Sequence, residues 1–146
     1  MRLAERITLG TLRTAVILAL LFGERAAAEL VVIVSAKSPL TTLTKSQIAD
    51  IFLGKTNHLP DGQPAMPIDQ PEGSASRDEF NAKFVGKSAA QIKNQWAKII
   101  FTGRGFPPKE AANGVEVKKL VVQDPNAIGY IDPGLLDPSV KVLQMQ

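Results

Sequence analysis

Pro71-Glu72-Gly73-Ser74-Ala75-Ser76-Arg77-Asp78-Glu79-Phe80 is a small-residue loop that runs straight into a helix. Ser76 and Glu79 have the spacing of a capping box, in which hydroxyl and carboxylate each satisfy a free backbone N–H. Phe80 and Phe84, four residues apart, then give the helix an apolar face for the core. Gly73 and Ala75 let the backbone come close to a guest, Ser74 and Ser76 add hydroxyls, and Arg77 adds a charge in the first turn. Free N–H groups and the positive end of the helix dipole meet there, so a small anion would be stabilised. The same residues would also make a plain helix cap with no ligand, and both readings stand at this point.

Upstream, Ala65-Met66-Pro67-Ile68-Asp69-Gln70 reads as a short strand feeding the loop. Pro67 has no N–H to give a ladder, which argues for an edge position or a strand only partly paired. Further back, Leu30-Val31-Val32-Ile33-Val34 is an uninterrupted apolar run, suited to a strand buried on both faces as in a parallel sheet covered by helices. Ligands of open α/β sheets sit beyond the C-terminal strand ends, so Ser35, Lys37 and Ser38 become candidates beside the loop. Between these strands, Thr44 and Gln47 form a second capping box, Ile48, Ile51 and Phe52 make an apolar stripe, and Gly54 sits where a C-terminal cap wants positive φ.

Downstream, Gly86 closes the Phe80/Phe84 helix and Ser88 opens another, whose Ile92, Trp96, Ile99 and Ile100 fall on one apolar face. Arg104, flanked by glycines in a turn-rich loop, is a second candidate for an anion contact. Val115–Gln123 suits a strand by its Val-x-Val start and a helix by Val117, Leu120 and Val121. Ala127–Ile131 reads as a strand, and Val140–Leu143 could add a last one. Alternating elements of this kind predict a layered α/β fold.

The first 28 residues are a different kind of sequence. Arg2, Arg6 and Arg13 precede the apolar run Ala15–Phe22, and Ala26-Ala27-Ala28 supplies small residues for cleavage, so a secretory signal peptide over 1–28 is expected, cut after Ala28. The run is too short to span about 30 Å of hydrocarbon as a helix. A single soluble domain over 29–146, periplasmic or secreted and without stable membrane insertion, follows as the expectation. That segment carries 4 of the 17 basic and 2 of the 14 acidic residues, which leaves 13 against 12. With near-neutral charge and no basic run, nucleic acid is not an expected partner. The chain has no cysteine and one histidine, His58, in a polar turn-rich segment. Thiolate metal sites are excluded, and an imidazole-based metal site or a Ser-His-Asp triad finds little support. No cofactor, metal or catalytic group is expected.

Three stretches together resemble the extracytoplasmic phosphate-binding proteins of ABC importers. Leu43–Lys55 is similar to their Leu-Thr…Ile-Phe-x-Gly-Lys helix, Gly73–Arg77 to their Gly-Ser-Gly-Thr phosphate loop, and Asp124–Tyr130 to their Pro-Gly-Ala-Ile-Gly-Tyr return strand. The resemblance implies one lobe of a type II periplasmic-binding-protein fold, with a mixed, mostly parallel sheet flanked by helices. It also implies a phosphate or other small oxyanion held by Gly73, Ser74, Ala75, Ser76 and Arg77, with Ser35 and Ser38 added from the strand-end argument. In the family pattern an Arg precedes the loop's first Ser by four residues; here that position is Gln70, and the bidentate contact it would make is missing. Full-length members clamp phosphate between two lobes, whereas this sequence matches one. The expected function is therefore a non-enzymatic, exported solute-binding-like protein linked to ABC-type uptake, with an importer permease or envelope protein as partner. The alternative is a ligand-free interaction module that docks an envelope partner or self-associates as a homodimer.

Overall fold

The computed structural model describes residues 29–146; the expected signal peptide and its cleavage site lie outside the described residues. Strand β1 (Val31–Ser35) occupies an inner position of a five-stranded sheet, between β5 (Ala127–Ile131) and β6 (Val140–Val142). Beyond β5 come β3 (Met66–Asp69) and the two-residue β4 (Lys109–Glu110), giving the order β4-β3-β5-β1-β6. Four strands run one way and β1 runs against both its neighbours, so the sheet is mixed but mostly parallel. A separate parallel pair joins β2 (Thr42–Leu43) to β7 (Gln144–Met145).

The apolar run of β1 is explained by burial on both faces, as its composition implied, although its pairing is antiparallel. Val32 and Val34 point to one side with Ile128 and Tyr130 of β5, where α1 (Lys45–Phe52) and α2 (Ala75–Phe80) bring Ile48, Phe52 and Phe80. Ile33 points to the other side with Ile68 and Ile131, against Val117 and Val121 of α4 (Gly114–Gln123). The ambiguous Val115–Gln123 segment is thus a helix: Val117 and Val121 lie one turn apart and both are fully buried. Gly129 of β5 faces this helix, and a Cβ there would lie 2.5 Å from Val117 Cγ1, so close helix–sheet contact requires glycine.

Pro67 is tolerated for a specific reason. On the β5 side it pairs with Ile128, while β4 engages only Ile68 and Asp69. The strand is not at an edge, but it is only partly paired, and its proline falls where no β4 partner is needed. After α2 the helix widens into a π turn, Asn81–Val85, closed by Gly86 at φ 69°. Helix α3 (Ala89–Phe101) opens on a complete Ser88/Gln91 capping box and packs Ile92, Trp96 and Ile99 on Leu53. Ile100, expected on that face, is instead 52% exposed, because the stripe is narrower than the sequence suggested. No helix among the described residues is long and apolar enough to cross a membrane.

Candidate functional site

The loop after β3 leaves the sheet at the end formed by Asp69, the last residues of β5 and the first of β1, since Val31 pairs with Ile131. Gly73 turns the chain at φ 84°, which only glycine adopts without strain. Ser74 is then extended and its hydroxyl accepts the Arg77 N–H at 3.3 Å. The expected Ser76/Glu79 box does not form. The helix begins at Ala75, two residues earlier than that box requires, and Glu79 instead accepts the Leu30 N–H at 3.5 Å. Ser76, at the second helical position, has no hydrogen-bond partner for its hydroxyl among the described residues and is half-buried.

Arg77 does not extend to the mouth of the loop. Its Nη1 donates to the Gln70 carbonyl at 3.1 Å, its Nε lies 3.6 Å from Asp69 Oδ2, and Nη1 lies 3.6 Å from Glu110 Oε2. The cation expected to meet an anion is drawn instead toward two carboxylates on β3 and β4.

Behind it lies a buried polar network that sequence reading did not find. The Tyr130 hydroxyl donates to Asp69 Oδ1 and accepts the Gln70 N–H at 3.1 Å, and that N–H also reaches Asp69 Oδ1 at 3.0 Å. The Gln70 side chain, at the family's arginine position, donates Nε2–H to the Tyr130 carbonyl at 2.9 Å. Gln70 is therefore sealed into the base of the loop as a structural tie. Tyr130 stacks on Phe80, centroids 4.0 Å apart, and Phe80 stacks on Phe84. Burial pushes the Asp69 carboxyl up from its ordinary value, opposed by the Tyr130 hydroxyl, Arg77 and the Gln70 N–H. Burial and the neighbouring Asp69 push the Tyr130 phenol up as well.

Ser35 and Ser38 do not join the loop. Because β1 is antiparallel to β5, its C-terminal end, where Ser35 pairs with Val140, lies at the opposite end of the sheet. Both are buried, and their hydroxyls accept the Lys37 and Leu40 N–H groups, each at 3.2 Å. The strand-end argument placed them wrongly because it assumed a parallel β1. Arg104 is exposed after α3 and does not line the space beside the loop. His58 is exposed, as expected.

A cleft of about 530 Å³ opens beside Gly73 and Arg77, between this loop and α3. Among the described residues no group of His, Cys, Asp or Glu is arranged to hold a metal.

The arrangement is the fold of one lobe of the periplasmic binding proteins, with a mixed sheet between helical layers and a Gly-Ser loop opening a helix at the strand end. No family model matches the sequence. Among solved structures, the chain is similar to a protein from Clostridium perfringens assigned as a phosphate ABC transporter substrate-binding protein and solved with bound phosphate. Identity is 26% and the TM-score 0.66, over 80% of this chain and 44% of that one. An ABC-type phosphate transport receptor from Vibrio cholerae aligns at 22% identity and TM-score 0.63, covering 80% of this chain and 46% of that one. PstS from Borrelia burgdorferi aligns at 17% identity and the same TM-score, covering 81% and 47%. The chain spans less than half the length of each of these proteins, and the fold expected from the three motifs is the fold observed.

Proposed function

We propose that this chain is an exported, non-enzymatic solute-binding lobe that holds a small oxyanion, with phosphate the first candidate, at Gly73–Arg77 in the service of ABC-type uptake. The observation that carries this reading is the N-capped helix start after β3, on a chain that aligns over 80% of its length with a phosphate-bound structure. The ligating groups would be loop N–H groups and the free Ser76 hydroxyl, because Arg77 is held by Asp69 and Glu110. Without an arginine fork, affinity should be lower by about one to two decades per missing charge-assisted contact.

Calorimetric titration of phosphate into wild type and Ser76→Ala tests it. Binding weakened at least about tenfold by Ser76→Ala, with unchanged stability, is the expected result. Ser74→Ala should instead cost about 1 kcal/mol of stability by removing the cap. No heat with phosphate or sulfate up to millimolar concentration in wild type would overturn the reading. One observation favours the second reading, an interaction module: Phe101 and Phe106 are 93% and 90% exposed around the end of α3. Sedimentation showing a concentration-dependent dimer that Phe101→Ser abolishes would favour it.

A further inference from the structure

The cleft beside the loop has walls that suit a different ligand. Its size falls within the range of small-molecule sites. One wall is apolar, formed by Ile92, Trp96 and Ile100 of α3 and continued by Pro107 and Pro108. The facing wall carries the carboxylates of Asp69, Glu72, Asp78 and Glu110. Among the described residues two cations line the space, Arg77 and Lys93. Arg77 is already engaged by Asp69 and Glu110, and Lys93 is exposed at the rim of the apolar wall.

Independently of charge, Asn81 points to a ligand. It is only 8% exposed and lines the cleft, yet among the described residues no group hydrogen-bonds its side-chain amide. Among the described residues no buried side-chain polar atom is sealed without a partner, so the Asn81 amide is solvent-accessible, and the cleft is the space it lines. A buried amide held open toward a cavity, opposite a large apolar surface, supplies an acceptor that solvent or a guest must fill.

We infer that the cleft binds a small organic cation, a protonated amine on an apolar body. The ammonium group donates to the Asn81 amide oxygen and is attracted by the Asp78 and Glu110 carboxylates, while the apolar body lies over Trp96 and Ile100. The head satisfies the open amide, and the apolar body covers the apolar wall. An oxyanion in the same space meets four carboxylates against two cations, one of them already engaged. The cleft and the loop's N–H groups therefore select opposite charges, and this inference does not rest on the oxyanion reading.

Trp96 is the single tryptophan of the chain and lines the cleft, so its fluorescence reports occupancy. The intact protein is titrated with phenylbutylamine, phenylbutanol and phenylbutyrate, and each titration is repeated by calorimetry. Saturable binding of the amine, at least about tenfold tighter than the alcohol, with none of the acid, is the expected result. Asp78→Asn and Glu72→Gln change exposed rim residues and should each weaken the amine about threefold, and added salt should weaken it further. Asn81→Leu should weaken it more than either rim change. Equal affinity for amine and alcohol, preference for the acid, or neither heat nor fluorescence change with the amine up to millimolar concentration would overturn the inference. A lysine-rich peptide binding more tightly than the amine would also overturn it, by assigning the cleft to a macromolecular partner. Phosphate titrated in parallel separates the two sites: either ligand can bind while the other fails.

Discussion

Replacing Tyr130 by Phe removes one oxygen from the network beneath the loop and leaves the ring in its stack on Phe80. Two donors, the Tyr130 hydroxyl and the Gln70 N–H, and the charge of Arg77 favour the ionised form of Asp69 against the burial that opposes it. Tyr130→Phe deletes a hydrogen bond to a charged group, worth about 1.5–3 kcal/mol. The Gln70 N–H keeps Asp69 Oδ1 as acceptor at 3.0 Å, so no donor is orphaned and the loss should stay near 2 kcal/mol. In an Asp69→Asn background the same change deletes a neutral hydrogen bond, worth about 0.5–1.5 kcal/mol. The two substitutions should therefore couple by about 1 kcal/mol. Equilibrium urea unfolding followed by Trp96 fluorescence gives all four corners of the cycle, with m values checked for constancy. Additivity to within about 0.3 kcal/mol, or a Tyr130→Phe cost below about 0.5 kcal/mol, would refute the claim that this hydroxyl serves the buried carboxylate.

Two of the shifted carboxylates, Asp69 and Asp137, should give stability slopes of opposite sign. Asp69 is raised above 3.8 in the fold, so the native state takes up its proton first; stability from this group grows as pH falls through the raised value toward 3.8 and is lost as pH rises through that window. Asp137, held down to about 2 by Lys118 and Ser139, contributes stability that is present above 3.8 and lost as pH falls toward about 2. Urea midpoints across the acid range should lose the first slope in Asp69→Asn and the second in Asp137→Asn. Gly54→Ala should cost about 2–5 kcal/mol, because φ 69° disfavours a Cβ and that atom would lie 2.6 Å from Trp96 Cη2 and 2.9 Å from Ile99 Cδ1. A urea midpoint showing a loss under about 1 kcal/mol would mean that α3 shifts away at little cost.

What could be read in the sequence was what neighbours along the chain decide. The Thr44/Gln47 box and the Gly54 cap were legible because each is settled within a few residues. The Ser76/Glu79 box obeyed the same spacing and did not form, because Gly73 started the helix at Ala75 and Leu30, 49 residues away, took the Glu79 carboxylate. The misplaced Ser35 and Ser38 have a similar origin: a buried β-branched run says that a strand is central, not which way its partners run. The Asp69–Gln70–Tyr130 tie spans 60 residues and left one trace, the glutamine standing where the resembling family has arginine.

That glutamine governs what the loop can do. An arginine there would have to bring its charge to the ligand, whereas Gln70 spends its amide on the Tyr130 carbonyl and stays buried. Arg77, the one cation in the loop, is turned back by Asp69 and Glu110 and by the Gln70 carbonyl. Releasing it toward an oxyanion would leave Asp69 a buried carboxylate with fewer donors, which costs more than exposing Glu110, whose side chain is already 56% accessible. On the proposed function, oxyanion affinity would come from backbone N–H groups and the Ser76 hydroxyl alone. In the adjoining cleft the same inward pairing leaves Glu72 and Asp78 without a basic partner among the described residues. The inward pairing of Arg77, added to the missing arginine at position 70, thus leaves the loop poor in cations for an anion and the carboxylates of the neighbouring wall without one of theirs.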